Sequence, residues 1–211
     1  AYHPSGKLDI TMLDVGQGDG IYLRGPKGMT YFIDGGSSDR SNLGKYCIEP
    51  FLESQGTGTL DYVFVTHGDT DHYSGIEEML ERQSVGVTIR NLVLPTNYRK
   101  EKSLIELAKK AKDAAVNVLV IRGGEELKEE HMLIRCLQPA KNDRDLNGNA
   151  GSMVLEVKYG SFSMLFTGDV EGEGEECLLQ KLKEKDYDVL KVAHHGSKYS
   201  TSERLLELCN P

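Results

Sequence analysis

The segment Thr66-His67-Gly68-Asp69-Thr70-Asp71-His72 sets four potential metal ligands within six positions, directly after the apolar run Tyr62-Val63-Phe64-Val65. The apolar run reads as a buried strand, and a loop leaving a strand end can aim several side chains into one crevice. Imidazoles and carboxylates are the donors that divalent cations take. In an extended turn His67 and Asp69, two residues apart, face one ion together, while Asp71 and His72 face a neighbouring one. Two other strand ends supply donors: Thr167-Gly168-Asp169 and His194-His195-Gly196-Ser197. Alone, Asp169 reads as a turn former, but beside the first cluster it becomes a carboxylate able to bridge two ions. Such a pair activates a water and clamps both the attacked centre and the leaving oxygen, which is hydrolytic chemistry. Two imidazoles, His67 and His72, against three carboxylates, Asp69, Asp71 and Asp169, suit manganese or magnesium nearly as well as zinc. Two adjacent histidines leaving a strand point different ways, so one of His194 and His195 reaches the cleft. The turn at Gly196-Ser197 offers a backbone N–H and a hydroxyl to phosphate oxygens, with Lys198 or Lys191 adding positive charge.

Elements that would bring these ends together follow from hydrophobic spacing. Leu8, Ile10 and Met12 alternate with polar residues, and 21–24 and 29–33 flank a Gly25-Pro26-Lys27-Gly28 turn, which is a β-meander. Helical spacing over 42–52, a strand over 62–65 and a helix over 75–82 come next, then a strand over 91–94, a helix over 103–115 with Ser103 as N-cap, and a strand over 116–121. The stretch 138–151, rich in Asn, Asp and Gly and including Asn142, reads as a loop. A hairpin over 153–159 and 162–166, a helix over 171–183 ending at Lys183, a buried strand over 189–193 and a helix from Ser202 to Leu208 complete the pattern. A meander and βα units of this kind fit two sheets packed face to face with helices outside both. The Asp14-Val15-Gly16-Gln17-Gly18-Asp19 segment is a turn first and a site second, with Gln17 or Asp19 as its candidates near the metals. Asp34-Gly35-Gly36 reads as a turn that supports the ligand loop. The basic run from Arg99 to Lys112 reads as a solvated helix face, and His3 and His131 have no role assigned.

The chain has 211 residues, enough for one large domain over 1–211, and its 38% apolar and 27% charged content with 23 glycines fits a globular protein. No uninterrupted apolar run is long enough to span a bilayer, and no leader precedes Leu8. A net charge of −8 argues against holding nucleic acid on a broad basic face, though not against nucleic acid as a substrate. Cys47, Cys136, Cys177 and Cys209 are far apart without a Cys-x-x-Cys pair, so thiolate zinc frameworks drop out. The sequence leaves their disulfide state open.

In order, the segments Leu13 to Asp19, Ile33-Asp34-Gly35-Gly36, Thr66 to His72, Phe166-Thr167-Gly168-Asp169 and Val192 to Ser197 resemble the metallo-β-lactamase superfamily. More narrowly they are similar to the β-lactamase-like domain of ComEC DNA-uptake proteins, where Asp replaces the superfamily's second His. The resemblance implies an αββα sandwich with two central mixed sheets and outer helices, and a dinuclear site for zinc or manganese. It implies hydrolysis of DNA, the non-transported strand being degraded at the extracellular face of the membrane beside a polytopic channel domain of the same parent protein. Carried over by position, His67, Asp69, Asp71, His72 and Asp169 match metal ligands, and His194, His195 and Ser197 the substrate-side motif. The superfamily's third metal-binding His is absent, and Asn147 or Asn149 stands in its place. Asn149 joins Ser197 and Lys198 as a substrate-side candidate. The family continues beyond the point matching Pro211 into a strand and a Gly-His-Pro segment, so this chain is expected to lack that part. Asp71 is then the residue that positions and deprotonates a water, and His194 or His195 the one that stabilises phosphorane charge or protonates the leaving oxygen. The rivals are a small-substrate hydrolase of the same fold, such as a phosphorylcholine esterase or lactonase, and a metal-poor domain of a DNA-uptake machine.

Overall fold

Along strands β2 (Ile21–Arg24) and β3 (Thr30–Ile33), Ile21, Leu23, Tyr31 and Ile33 face one way and Tyr22 and Phe32 the other, and all are buried. A strand apolar on both faces must lie inside a layered core, and that is where the computed structural model places this pair. It describes residues 5–141, 143, 145–182 and 186–211, so His3, Asn142 and Lys183 lie outside the described residues.

The first sheet runs β1-β2-β3-β4-β5-β6, with β1 (Asp9–Met12), β4 (Thr59–Phe64), β5 (Thr88–Pro95) and β6 (Asn117–Ile121). β1 to β3 form the antiparallel meander, and β3 to β6 are parallel. The second sheet runs β11-β10-β9-β8-β7, with β7 (Glu126–Glu129), β8 (Met132–Gln138), β9 (Val154–Tyr159), β10 (Phe162–Phe166) and β11 (Val189–Lys191). It is antiparallel except for the parallel β10–β11 pair. Ile33, Phe64 and Val93 of the first sheet meet Ile134, Leu155, Val157 and Phe166 of the second in one cluster. On the outer face of the first sheet, Phe32, Val63 and Leu92 pack against α1 (Glu49–Ser54), α2 (Thr70–Glu81) and α3 (Lys102–Asp113). On the outer face of the second, Val154 and Leu165 pack with Leu178 of α4 (Glu173–Lys181) and Leu205 of α5 (Glu203–Cys209). The result is the expected αββα sandwich of two mixed sheets.

Several local expectations are corrected. α2 begins at Thr70 rather than Gly75, so Asp71 and His72 sit in its first turn instead of in an extended loop. The N-cap of α3 is Glu101, and the Ser103 hydroxyl instead donates to Gly68 O at 2.7 Å. The strand over 189–193 is shorter, an edge strand with Val192 41% exposed, and β6 is likewise an edge with Leu119 and Val120 exposed. Ser202 does cap α5, accepting from the Leu205 N–H. All four cysteines are free thiols. No helix among the described residues is long and apolar enough to cross a membrane.

Candidate metal centre

β3, β4, β10 and β11 run in parallel pairs, so β3 and β4 end at one edge of the first sheet and β10 and β11 at one edge of the second. Asp34 follows β3, the 66–72 segment follows β4, Asp169 follows β10 and the histidine pair follows β11. β2 is antiparallel to β3 with Ile21 opposite Ile33, so Asp19, just before β2, arrives at the same edge. The two edges are joined where Met153 N–H donates to Thr66 O at 2.9 Å.

Here the side chains converge. His67, His72 and Asp169 present ligand atoms within 4.8 Å of one another, as do Asp71, His72 and His195, and again Asp19, Asp169 and His195. Asp169 Oδ2 is the common point, 3.1 Å from His72 Nε2, 3.6 Å from His195 Nε2, 3.9 Å from His194 Nε2 and 4.0 Å from His67 Nε2. Yet His67 Nε2, His72 Nε2, His195 Nε2, Asp169 Oδ1 and Asp19 Oδ2 are buried without a directed hydrogen bond. An unsatisfied buried polar group costs about 1–3 kcal/mol, and several aimed at one point are what a cation cage presents. The residues present therefore fit divalent metal ions of the kind this donor set takes.

Electrostatics agree. Burial alone would drive His72 towards its neutral form, but the carboxylates of Asp34 and Asp169 outweigh it and lift its pKa to about 10. Burial likewise opposes ionisation of Asp169, and His72, His67 and Lys191 override it, holding the carboxyl well below the usual range. Asp69 is lowered chiefly by its bond to His67, and His195 is raised chiefly by Asp19.

Three supports fix the ligand loop. Asp34 accepts from Thr66 N–H and Thr66 Oγ1, each at 2.8 Å, and its Oδ2 lies 2.9 Å from His72 Nδ1. A carboxylate only accepts, so Nδ1 carries the proton and Nε2 faces Asp169. Asp34 holds this geometry at φ +56°, a left-handed conformation that Asp adopts more readily than most residues. From α3, Glu101 accepts the Gly68 N–H at 2.7 Å while Ser103 holds Gly68 O. A Cβ at residue 68 would lie 2.3 Å from Ser103 Oγ and 2.4 Å from Glu101 Oε2, so any larger residue displaces both sides of this clamp. His194 and His195 sit at φ +49° and +51°, two consecutive non-glycine residues in the left-handed region. Strain of this sort persists at functional sites, where surrounding contacts over-determine it.

The structure thus gathers His67, Asp71, His72, Asp169 and His195. Asp69 stands at the rim, its side chain 57% exposed and 3.5 Å from His67 Nε2, and it joins none of the three-residue groupings among the described residues. His194 turns its Nδ1 to Glu171 Oε2 at 3.1 Å, and Asn149 donates to the other oxygen of Glu171. The Ser197 hydroxyl accepts the Tyr199 N–H, and Lys198 lies over the Tyr199 ring. Of the two lysines, Lys191 enters the cluster: it is 7% exposed, paired with Asp19, 3.0 Å from Gly168 O and 3.9 Å from Asp169 Oδ1. Of the Asp14–Asp19 candidates, Asp19 is inside and Gln17 is exposed. The contacts of Glu101 and Ser103 with Gly68 carry no signal in the sequence, where Ser103 reads as a helix cap.

A model of the metallo-β-lactamase superfamily matches residues 13–211. ComE operon protein 3 of Bacillus subtilis (strain 168) is 30% identical over 220 residues, which cover 98% of this chain and 28% of that protein. Recombination protein 2 of Haemophilus influenzae is 32% identical over 205 residues, covering 96% of this chain and 23% of that one. The chain spans about a quarter of the length of these curated relatives. A solved metallo-β-lactamase from Cronobacter sakazakii shares the fold with a TM-score of 0.57 at 14% identity, over 88% of this chain and 72% of that one. Sandwich, strand-end histidines and matched family model coincide over nearly the whole sequence, and the chain belongs to the metallo-β-lactamase superfamily.

Proposed function

We propose that the protein is a metal-dependent phosphodiesterase that hydrolyses DNA, with His67, Asp69, Asp71, His72 and Asp169 as metal ligands. The observation that carries this reading is the set of buried, undirected donors around Asp169 Oδ2. Divalent ions held by these residues would supply polarisation of a phosphate and acidification of a water. Asp71, part-exposed at the mouth with its Oδ2 3.3 Å from His195 Nε2, takes the proton of the attacking water. His194 reaches the site from the other side. Its Nδ1 is committed to Glu171, which leaves Nε2 to protonate the leaving oxygen. Asn149 acts through Glu171, and Ser197 and Lys198 sit at the exit of the histidine turn, where a phosphate chain would pass.

DNA is favoured over a small ester on two grounds. The cluster opens to solvent through Asp69, Asp71 and His194, and an open mouth suits a polymer better than an enclosed apolar pocket would. The relatives carry competence and recombination names, and the gonococcal competence protein ComA aligns over 99% of this chain at 26% identity. With the chain spanning about a quarter of such proteins, the proposal extends to a larger parent in which this module works at the extracellular face of the membrane beside a channel domain.

The test is cleavage of single- and double-stranded DNA with Mn, Mg or Zn varied, run beside bis-p-nitrophenyl phosphate, a phosphorylcholine ester and a lactone. Expected is metal-dependent DNA cleavage that falls by a factor on the order of 10²–10⁴ in Asp71→Asn. Turnover of a small ester with DNA left intact under every ion would overturn the substrate assignment.

A further inference from the structure

Asp19 comes from a turn, yet its side chain faces the metal cluster. Its N–H donates to Asp71 O at 3.1 Å and its own carbonyl accepts from Gly36 N–H at 3.1 Å, so its backbone is tied to the residue that opens α2. The approach is close enough that a Cβ on Gly18 would lie 2.2 Å from Gly36 O and 2.6 Å from Asp71 O. The side chain is 8% exposed. Its Oδ1 lies 3.5 Å from His195 Nδ1, and its Oδ2, paired with Lys191 and 3.8 Å from His72 Nδ1, makes no directed hydrogen bond. With Asp169 and His195 it presents ligand atoms within 4.8 Å of one another, on the side of the cluster where Asp71 also meets His195.

Charge gives the second argument. Asp19, Asp34, Asp69, Asp71 and Asp169, with Glu101 and Glu171 at the edge, outnumber the Lys191 ammonium, a surplus of negative charge that divalent cations would offset. Buried carboxylates persist when paired or bound to cations. Lys191 is placed to sort them: it touches Asp19 and faces Asp169 Oδ1, while Asp169 Oδ2 is turned towards the imidazoles. The Lys191 ammonium donates to Gly168 O at 3.0 Å and pairs with Asp19, while Asp169 Oδ1 lies 3.9 Å away.

We propose that Asp19 is a ligand of the second metal ion, in a set with Asp169 and His195, and that Lys191 is the positioning residue that holds Asp19 in place for it. This rests on the reading of the cluster as a two-ion site, and neither residue is used by the hydrolytic steps described above.

The experiment is metal binding, read without substrate. Chelator-treated wild type, Asp19→Asn and Lys191→Met are titrated with Mn(II), and stoichiometry is followed by elemental analysis and by low-temperature EPR. Wild type takes up two ions with a spin-coupled signal. Asp19→Asn keeps the first ion within about twofold of wild-type affinity and loses the second by at least about tenfold, its EPR reverting to an isolated six-line spectrum. Lys191→Met still binds two ions, the second weakened less than in Asp19→Asn. Asp19→Asn binding both ions like wild type would overturn the proposal. So would Lys191→Met reproducing the whole loss, since the ion pair and not ligation would then be responsible. Wild type that binds no ion fails at the two-ion site itself, an outcome separate from either.

Discussion

Replacing Asp34 by Asn removes one negative charge and turns one acceptor into a donor without changing shape, and its effect on metal affinity can be worked from three hydrogen bonds. Asn tolerates the left-handed backbone that Asp34 occupies, so no strain is added. Its carbonyl oxygen must face the Thr66 N–H, because the alternative sets donor against donor. The amide nitrogen then faces Thr66 Oγ1 and His72 Nδ1, where the wild-type carboxylate accepts at 2.8 and 2.9 Å. An amide N–H can only donate to His72 Nδ1, so the imidazole changes tautomer and its proton moves to Nε2, the atom aimed at Asp169. Metal binding then has to reverse the tautomer without the charge-assisted Nδ1–H to carboxylate contact of the wild type, worth about 1.5–3 kcal/mol. That corresponds to roughly 10–100-fold in affinity, the range seen when an outer partner of a ligating His is removed. Competition against a chromophoric chelator gives the affinity, and long-range ¹H–¹⁵N spectra of the histidine rings report the tautomer. If Asp34→Asn holds Mn(II) or Zn(II) within twofold of wild type, or His72 keeps its proton on Nδ1, the orienting role assigned to Asp34 is wrong.

Gly68→Ala pushes a methyl group into Ser103 and Glu101. It should destabilise the fold by about 1–3 kcal/mol and weaken metal binding together, and a thermal melt and affinity equal to wild type would remove the α3 clamp from the account. In chelated protein, the His72 pKa of about 10 lies above the 6.5 of the unfolded chain. Its contribution to stability is full below pH 6.5 and is lost as pH rises towards 10. Denaturant midpoints should therefore fall between about pH 7 and 10, on the order of 1 kcal/mol per unit, and a flat profile there would contradict the buried His72 ion pairs.

Strand order and ligand order were legible because both rest on local periodicity. The 8–33 meander, the 153–166 hairpin and the donors at strand ends could all be read from spacing. The β7–β8 hairpin was not anticipated: burial along β8 alternates from Met132 to Gln138, but the polar β7 beside it carries no apolar period. Lys191 is read from the sequence only as an alternative to Lys198. At the end of β11, Val189 and Val192 are largely exposed while Lys191 points inwards, the reverse of what hydrophobicity suggests, because on an edge strand the inward face is set by the carboxylates waiting there. Asp19 and Asp34 reach the cluster through the pairing of β2 with β3 and of β3 with β4, which no window of a few residues contains. The start of α2 was placed late because Asp and His have weak helix propensity, whereas the first turn of a helix accepts an acidic residue such as Asp71 readily.

The donors come from both layers of the sandwich, His67 and His72 from the first sheet's edge and Asp169 and His195 from the second's. Away from that seam the sheets meet mainly through greasy side chains, a contact that is strong but tolerant of sliding. A cation gripped from both sides would act as a rivet, setting the register of one layer on the other, so the catalytic geometry and the alignment of the two halves would be gained or lost in a single event.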